Sequence, residues 1–232
     1  RGPENTISIS GKFTDVETLF ASKLFLESIG SKLFDCRFDN AQFIEDVRAS
    51  YVLNSSIQEI ENADAILLIG SNPRWEASVL NARIRKAYLQ NDCKIGLIGK
   101  NINLNYNFVH LSDSIAHINE IHDGSSSFCK ILKEAKNPLL IIGTSAINHE
   151  EGQKVLNNCA EIAKKLPNSN DNFNPLNILH QDISRVGALD LGYYNSLFNF
   201  SFEEKLKNTI KQTKPVIFLL GQDEINMEVL ND

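Results

Sequence analysis

The sequence predicts an α/β fold built on a doubly wound, mainly parallel sheet. Three observations carry that prediction. Four segments, "ADAILLIGSN", "CKIGLIGKN", "NPLLIIGTSA" and "KPVIFLLGQDE", share one pattern, a short β-rich apolar run that stops at a glycine. Apolar runs without polar alternation belong to strands buried on both faces, as in parallel sheets. Helical patterns lie between the runs, and alternating strands and helices make βαβ units with right-handed crossovers. The chain has 232 residues, 42% hydrophobic and 22% charged, which suffices for a substantial core. The class is Rossmann-like.

The elements follow in order. A first helix is expected in "TDVETLFASKLFLESIG", with Thr14 and Glu17 forming a capping box. Val16, Leu19, Phe20 and Leu24 recur at helical spacing, and Gly30 stands just past the end. The stretch "SKLFDCRFDNAQFIEDVRASYVLNSS" mixes polar and aromatic residues without a period and reads as a loop. The run ending at Gly70 is the next strand, and the runs ending at Gly99, Gly143 and Gly221 join it as central strands. The segment "EASVLNARIRKAYLQND" gives a helix that starts near Glu76, with apolar residues at Val79, Leu80, Ile84 and Leu89. Its Arg83, Arg85 and Lys86 lie toward the C-terminal half, where the helix dipole favours cations. "HEEGQKVLNNCAEIAKKLP" follows the same logic, acids first and lysines last. The Asn- and Pro-rich "PNSNDNFNPLN" is a linker signal. It divides the chain into an α/β lobe, residues 1–166, and a smaller α/β continuation, residues 167–232.

Composition excludes some classes of function. The net charge of -6 argues against nucleic acid or an anionic membrane as the partner. No apolar run approaches the ~20 residues of a bilayer span, so no membrane insertion is expected. The start, "RGPENTISIS", has neither an initiator Met nor a signal pattern, and reads as processed or as a piece of something longer. Cys36, Cys93, Cys129 and Cys159 are far apart with no C-x-x-C, which reads as four reduced, mostly buried thiols and no cluster or metal site. His110, His117, His122, His149 and His180 show no metal-binding spacing. No nucleotide fingerprint is complete, since "GLIGK" offers only Gly96 and Gly99, and Lys94 stands where a phosphate-binding loop would need glycine. "GTSAI" has Ile147 where a nucleophile elbow needs its second glycine, so Ser145 is not read as a nucleophile. No catalytic residue and no metal ligand is assigned.

One stretch carries a binding signal. In "GSNPRWEASVLNARIRKA" a buried strand ends at Gly70, turns at Asn72 and Pro73, and enters a helix through Arg74. Open α/β sheets bind ligands at the carboxyl ends of their strands. Gly70, Asn72, Pro73 and Arg74 are therefore the candidate anion-binding residues, with amides at a helix N-terminus and a guanidinium suited to phosphate. A structural alternative has Asn72 and Pro73 making the turn, Trp75 packing on a neighbour, and Glu76 weakening the attraction for phosphate.

The long stretch "ADAILLIGSNPRWEASVLNARIRKAYLQND" resembles the molybdopterin oxidoreductase superfamily, whose members carry a G-[ST]-N-P turn after a strand and an A-R-I-R-type helix. Within it the chain is similar to the large iron–sulfur subunits of NADH:quinone oxidoreductase, respiratory complex I. "HLSDS", "ILKEAKNPLLIIGTSA", "NILHQDISRVGALDLGY", "VIFLLGQDE" and "DVETLFASKLFLESIGS" extend the likeness along nearly the whole chain. The resemblance implies a non-catalytic structural domain, with other peripheral-arm subunits as partners. It implies a place on the cytoplasmic side of a bacterial inner membrane, or on the mitochondrial matrix side. It also implies 2Fe–2S and 4Fe–4S clusters on clustered cysteines in an N-terminal part that this chain lacks. Active molybdenum members carry an aspartate after the strand that follows the A-R-I-R helix. Here "CKIGLIGKNIN" has Gly99 and Lys100 at that place, so no cofactor is expected in this chain. The alternatives are a binding module that keeps a nucleotide or pterin-like anion at Gly70–Arg74, and a free-standing Rossmann-like enzyme.

Overall fold

A computed structural model describes residues 2–167, 173–195, 202–213 and 215–221. In chain order the elements are β1 (Thr6–Ser10), α1 (Val16–Ser28), β2 (Leu33–Asp35), β3 (Ala65–Ile69), α2 (Pro73–Glu76), α3 (Ser78–Asn91), β4 (Lys94–Ile98) and β5 (Val109–Ser112). There follow α4 (Ile118–Asp123), α5 (Phe128–Glu134), β6 (Pro138–Gly143), α6 (Gly152–Lys165), β7 (Leu176–Leu179), α7 (Arg185–Asp190), α8 (Phe202–Thr213) and β8 (Val216–Leu220). They fall into two compact units, Arg1–Glu45 with Gln181–Asp232, and the inserted Asp46–His180. The break expected after residue 166 lies inside the inserted unit. Beyond it the chain returns as β7 to pair with β6, so it leaves that unit only at His180.

The inserted unit is an open parallel sheet in the order β5-β4-β3-β6-β7. Its first strand, β3, sits at the centre and the sheet grows outward on both sides. All five residues of β3 and all six of β6 are buried, the burial expected of central strands. Ile66 and Leu68 from β3, Ile95 and Leu97 from β4, and Leu139 and Ile141 from β6 form one core with Leu80, Ile84 and Ala87 of α3. These three positions of α3 are spaced i, i+4 and i+7, one stripe of a helix. Val79 and Leu89, expected in that stripe, instead face solvent at 67% and 63% exposure. Each lies beyond the edge of the stripe that Ile84 centres. Tyr106 donates its hydroxyl proton to Asn81 Oδ1 at 2.8 Å, tying a buried polar position of α3 to the loop after β4.

The other unit has three parallel strands in the order β2-β1-β8. β1, "TISIS", is buried at every position. Ile7 and Ile9 pack with Leu206 of α8. Three expectations are corrected here. β8, the run before Gly221, is an edge strand among the described residues, where β1 alone pairs with it, and its residues are exposed or half-buried. The supposed loop after α1 contains β2. The cap of α1 is Asp15, which accepts from the Thr18 N–H at 2.7 Å, while the Thr14 hydroxyl donates to the Leu220 carbonyl at 2.8 Å. Gly30 does follow the helix, at φ +83°. The buried residues of α1 are Leu19 and Leu26, whereas Val16, Phe20 and Leu24 are exposed. Two buried guanidiniums order the segment after β2. Arg37 pairs with Asp35 at 2.8 Å, and Arg185 pairs with Asp39 at 2.9 Å and with Asp182.

Candidate functional site

In the inserted unit the direction of winding reverses between β3 and β6, so their carboxyl ends frame the crevice that open α/β sheets use for ligands. Two glycines let the strand ends approach each other. Gly70 leaves β3 at φ +55°, and a Cβ there would lie 2.7 Å from Ala146 Cβ. A Cβ on Gly143 would lie 2.3 Å from the Gly70 carbonyl oxygen. The two strand ends therefore meet backbone to backbone. The Ser145 hydroxyl donates to that same carbonyl, and the Gly70 N–H donates to Ile98 O at 2.8 Å.

Ser71, Asn72, Glu76, Lys100, Ile102 and Ser145 line the cleft over Gly70 and Gly99. It encloses about 250 Å³, below the ~300–1,000 Å³ of ordinary small-molecule pockets. Ser71 donates to the Glu76 carboxylate at 2.9 Å, which holds a negative charge at the wall. Lys100 brings a positive one. Asn72 Oδ1 is buried with no hydrogen-bond partner among the described residues.

Three amides of the turn are engaged within it. Pro73 has no N–H. The amides of Trp75 and Glu76 donate to Asn72 O at 3.0 and 2.9 Å, and that of Ala77 donates to Pro73 O at 3.1 Å. The result is the single turn α2, starting at Pro73 rather than near Glu76, followed by a break at Ala77 (φ -152°) before α3. Among the candidate residues, Gly70 and Asn72 line the cleft, whereas Pro73 is buried and does not line it. Arg74 does not line it, and its Nη1 donates to Asn103 O at 3.2 Å. Trp75, expected to pack, is 81% exposed. Positions two apart on a helix point about 200° from each other, so burial of Pro73 turns Trp75 outward.

Glu76, Lys100 and Ser145 are polar lining residues that sequence reasoning did not assign to the site. Ser145 could be found from its place just after a strand-ending glycine, whereas Lys100 carries no local signal. Ser145 engages a carbonyl rather than a histidine or carboxylate that could activate it. The histidines scatter. His110 meets Gly99 O, His117 meets Ser126, His122 meets Glu161 and His180 meets Tyr51 O. Among the described residues no three His, Cys, Asp or Glu side chains converge as a metal site. All four cysteines are free and buried. Burial pushes the Cys36 and Cys93 thiols up to about 12 and raises Cys159 as well, so they are protonated and unreactive.

A parallel sheet wound both ways from a central first strand, with glycine-ended strands meeting at a crevice, defines an open α/β domain of the dinucleotide-fold class. The sequence profile of the molybdopterin oxidoreductase family matches residues 1–231, and the chain belongs to that family. It is 36% identical, over 96% of its length, to the NADH-ubiquinone oxidoreductase 75 kDa subunit of Reclinomonas americana, and spans 33% of that protein. It is 33% identical, over 99% of its length, to the mitochondrial NADH dehydrogenase [ubiquinone] iron-sulfur protein 1 of Solanum tuberosum, spanning 30% of it. The 78 kDa subunit of Neurospora crassa is 38% identical over 94% of the chain, which spans 29% of that subunit. The chain thus spans about a third of the length of these relatives. A crystal structure of the formyltransferase/hydrolase complex from Methylorubrum extorquens with methylofuran shares the fold at a TM-score of 0.54 and 16% identity, over 82% of this chain and 58% of that one. No described helix is long and apolar enough to cross a membrane.

Proposed function

We propose that this chain is a non-catalytic structural domain of the large iron–sulfur subunit of NADH:ubiquinone oxidoreductase, the complex that passes electrons from NADH to quinone. It holds neighbouring peripheral-arm subunits in place, on the cytoplasmic side of a bacterial membrane or the matrix side of a mitochondrial one. The 2Fe–2S and 4Fe–4S clusters belong to a part of the subunit outside this chain. The single observation that carries the non-catalytic reading is the chemistry of the cleft. The family's name implies a molybdopterin group, and the residues at the β3–β6 crevice do not fit a pyrophosphate-bearing one. Glu76 places a carboxylate in the wall, the N–H groups of Trp75, Glu76 and Ala77 already have acceptors, and Arg74 is directed to Asn103 O. The orphaned atom at Asn72 is an acceptor, and an ionised phosphate offers it no proton.

The experiment follows the tagged full-length subunit through a native density gradient of solubilised membranes while NADH:quinone reductase activity is read across the fractions. Comigration supports the proposal, and a subunit that migrates alone overturns it. Lys100 at the cleft wall favours the alternative, a retained anion site. Calorimetric titration of the purified chain with guanosine diphosphate decides between the two. Saturable binding at micromolar concentration would replace the structural reading with the binding module, and no heat of binding supports the scaffold.

A further inference from the structure

We infer that the solvent face of α3, together with Trp75, is a docking surface for an acidic amphipathic helix of another subunit. This rests on the proposed place in a multisubunit assembly. Two observations drive it. The first is apolar surface where a finished surface would be polar. Trp75, the only tryptophan of the chain, is 81% exposed, Val79 67% and Leu89 63%. Within α3 the exposed positions Val79, Ala82, Lys86 and Leu89 recur at spacings of three, four and three, the seam that one helix offers another. This stripe lies outside the Leu80–Ile84–Ala87 face already used by the core. Ala82 at its middle leaves a shallow groove, walled by Glu61, Arg83 and Lys86 and floored by Val79. A small residue there lets a second backbone come close. Trp is among the residues that carry most binding energy at interfaces.

The second observation is charge. A chain of net charge -6 gathers Arg83, Arg85 and Lys86 on α3. Glu61 accepts from both Arg83 and Lys86, holding them at the groove wall. Glu76 is bound inward by Ser71. The Arg85 side chain makes no hydrogen bond or ion pair among the described residues. An apolar seam rimmed by cations is complementary to a helix with apolar residues at i, i+3 and i+4 and Asp or Glu beside them. A second copy of the same strip would bring cations against cations, which disfavours self-association through this face.

The test uses the full-length subunit in its assembled complex. Ser78, exposed at the groove edge, is replaced by p-benzoylphenylalanine and irradiated, and the joined peptide is sequenced by mass spectrometry. Oxidative footprinting of Trp75 is compared between free and assembled subunit. The expected result is a peptide of a different subunit with acidic residues flanking a helical apolar repeat, and Trp75 oxidation several-fold lower in the complex. The double variant Arg85→Glu with Leu89→Glu should weaken incorporation by roughly thirtyfold, the loss of a hot spot worth about 2 kcal/mol. The melting temperature of the free subunit should stay unchanged, because neither side chain is in the core. A joined peptide from a second copy of the chain, a joined peptide lacking acids, or equal Trp75 oxidation in the two states overturns the inference. A subunit that migrates alone on the gradient overturns both this and the proposed function. One that migrates in the complex with Trp75 still open overturns the docking surface alone.

Discussion

Replacing Gly143 by alanine tests the backbone contact that shapes the cleft. The new Cβ would lie 2.3 Å from Gly70 O, 2.9 Å from Ser71 Cβ and 3.0 Å from the Gly70 carbonyl carbon. None of these is the yielding end of a flexible side chain, so the end of β3 has to move by roughly 1 Å to reach an ordinary contact distance. Overpacking of this kind costs about 1–3 kcal/mol. The shift also strains the Ser145–Gly70 hydrogen bond, worth about 1 kcal/mol. Against this, alanine stiffens the unfolded chain and returns about 0.4–1 kcal/mol. The net expectation is a loss of about 1–3.5 kcal/mol, or roughly 2–14 °C in Tm for a chain of this size. Urea unfolding followed by circular dichroism measures it. Ser145→Ala alone should cost about 1 kcal/mol. The double variant should lose less than the two singles added, because both act through the Gly70 carbonyl. A Gly143→Ala protein with unchanged or raised stability would refute the close approach of the two strand ends and the cleft geometry built on it.

Three further outcomes are expected. Trp75→Ala should change the stability of the free chain by less than about 0.5 kcal/mol, as for an ordinary surface site, and a loss of several kcal/mol would mean that Trp75 is packed. Asp15→Ala should cost about 1 kcal/mol through the lost cap of α1, whereas Asp15→Asn, which still accepts from the Thr18 N–H, should be nearly neutral; an Asp15→Ala protein with an unchanged thermal melt would contradict the cap. His122 is held above its ordinary 6.5 first by its hydrogen bond to Glu161 and then by that to Asp123, and Glu161 is lowered from 4.5 chiefly by the same bond. The link between α4 and α6 is therefore complete below about 6.5 for the histidine and above about 4.5 for the acid. It fades as pH rises through the raised histidine value. Proton NMR of the His122 ring should give a midpoint above 6.5, and His122→Gln should remove this part of the alkaline stability loss; a midpoint at or below 6.5 contradicts the pair.

The strands most legible in the sequence were those buried on both faces. β3, β4 and β6 are unbroken apolar runs with glycine ends, and each is a central strand. β1 escaped notice because its serines imitate a half-exposed strand. Ser8 is fully buried, and its hydroxyl accepts from the Tyr193 hydroxyl at 2.7 Å, a partner 185 residues away. β8 has the same apolar run as β3 yet sits at an edge among the described residues, since composition cannot count neighbours. Helix α1 is apolar on both sides, so periodicity could not say which side its unit buries. The capping box expected at Thr14 and Glu17 failed because the Thr14 hydroxyl reaches a carbonyl 206 residues on, and Asp15 caps the helix instead. The buried Arg185 defied the rule that arginines lie outside, being held by Asp39 and Asp182. At the cleft, Gly70 and Asn72 were legible from the turn. Glu76, Lys100 and Ser145 come together from three segments, so only the sheet order could unite them.

The entry and exit of the inserted unit run side by side. The Ile178 N–H donates to Val52 O at 3.1 Å, His180 Nε2 meets Tyr51 O at 2.6 Å, and Leu53 bridges Asn177 in antiparallel fashion. This bears on the order of folding. Once the inserted unit has folded, Tyr51 and His180 are held together near its two ends, which shortens the effective loop between the two parts of the other unit. Closing a loop well over a hundred residues long costs about 2–3 kcal/mol more than closing one of a few residues, by the logarithmic law for flexible chains. An unfolded insert would impose that cost on the β2-β1-β8 unit, whose strand β8 returns from beyond the insert to pair with β1. Folding is thus expected to proceed from the inside outward. A core mutation such as Leu68→Ala in the insert should slow formation of the distant β1–β8 pair, which hydrogen exchange at Ile7 and Ile9 can follow.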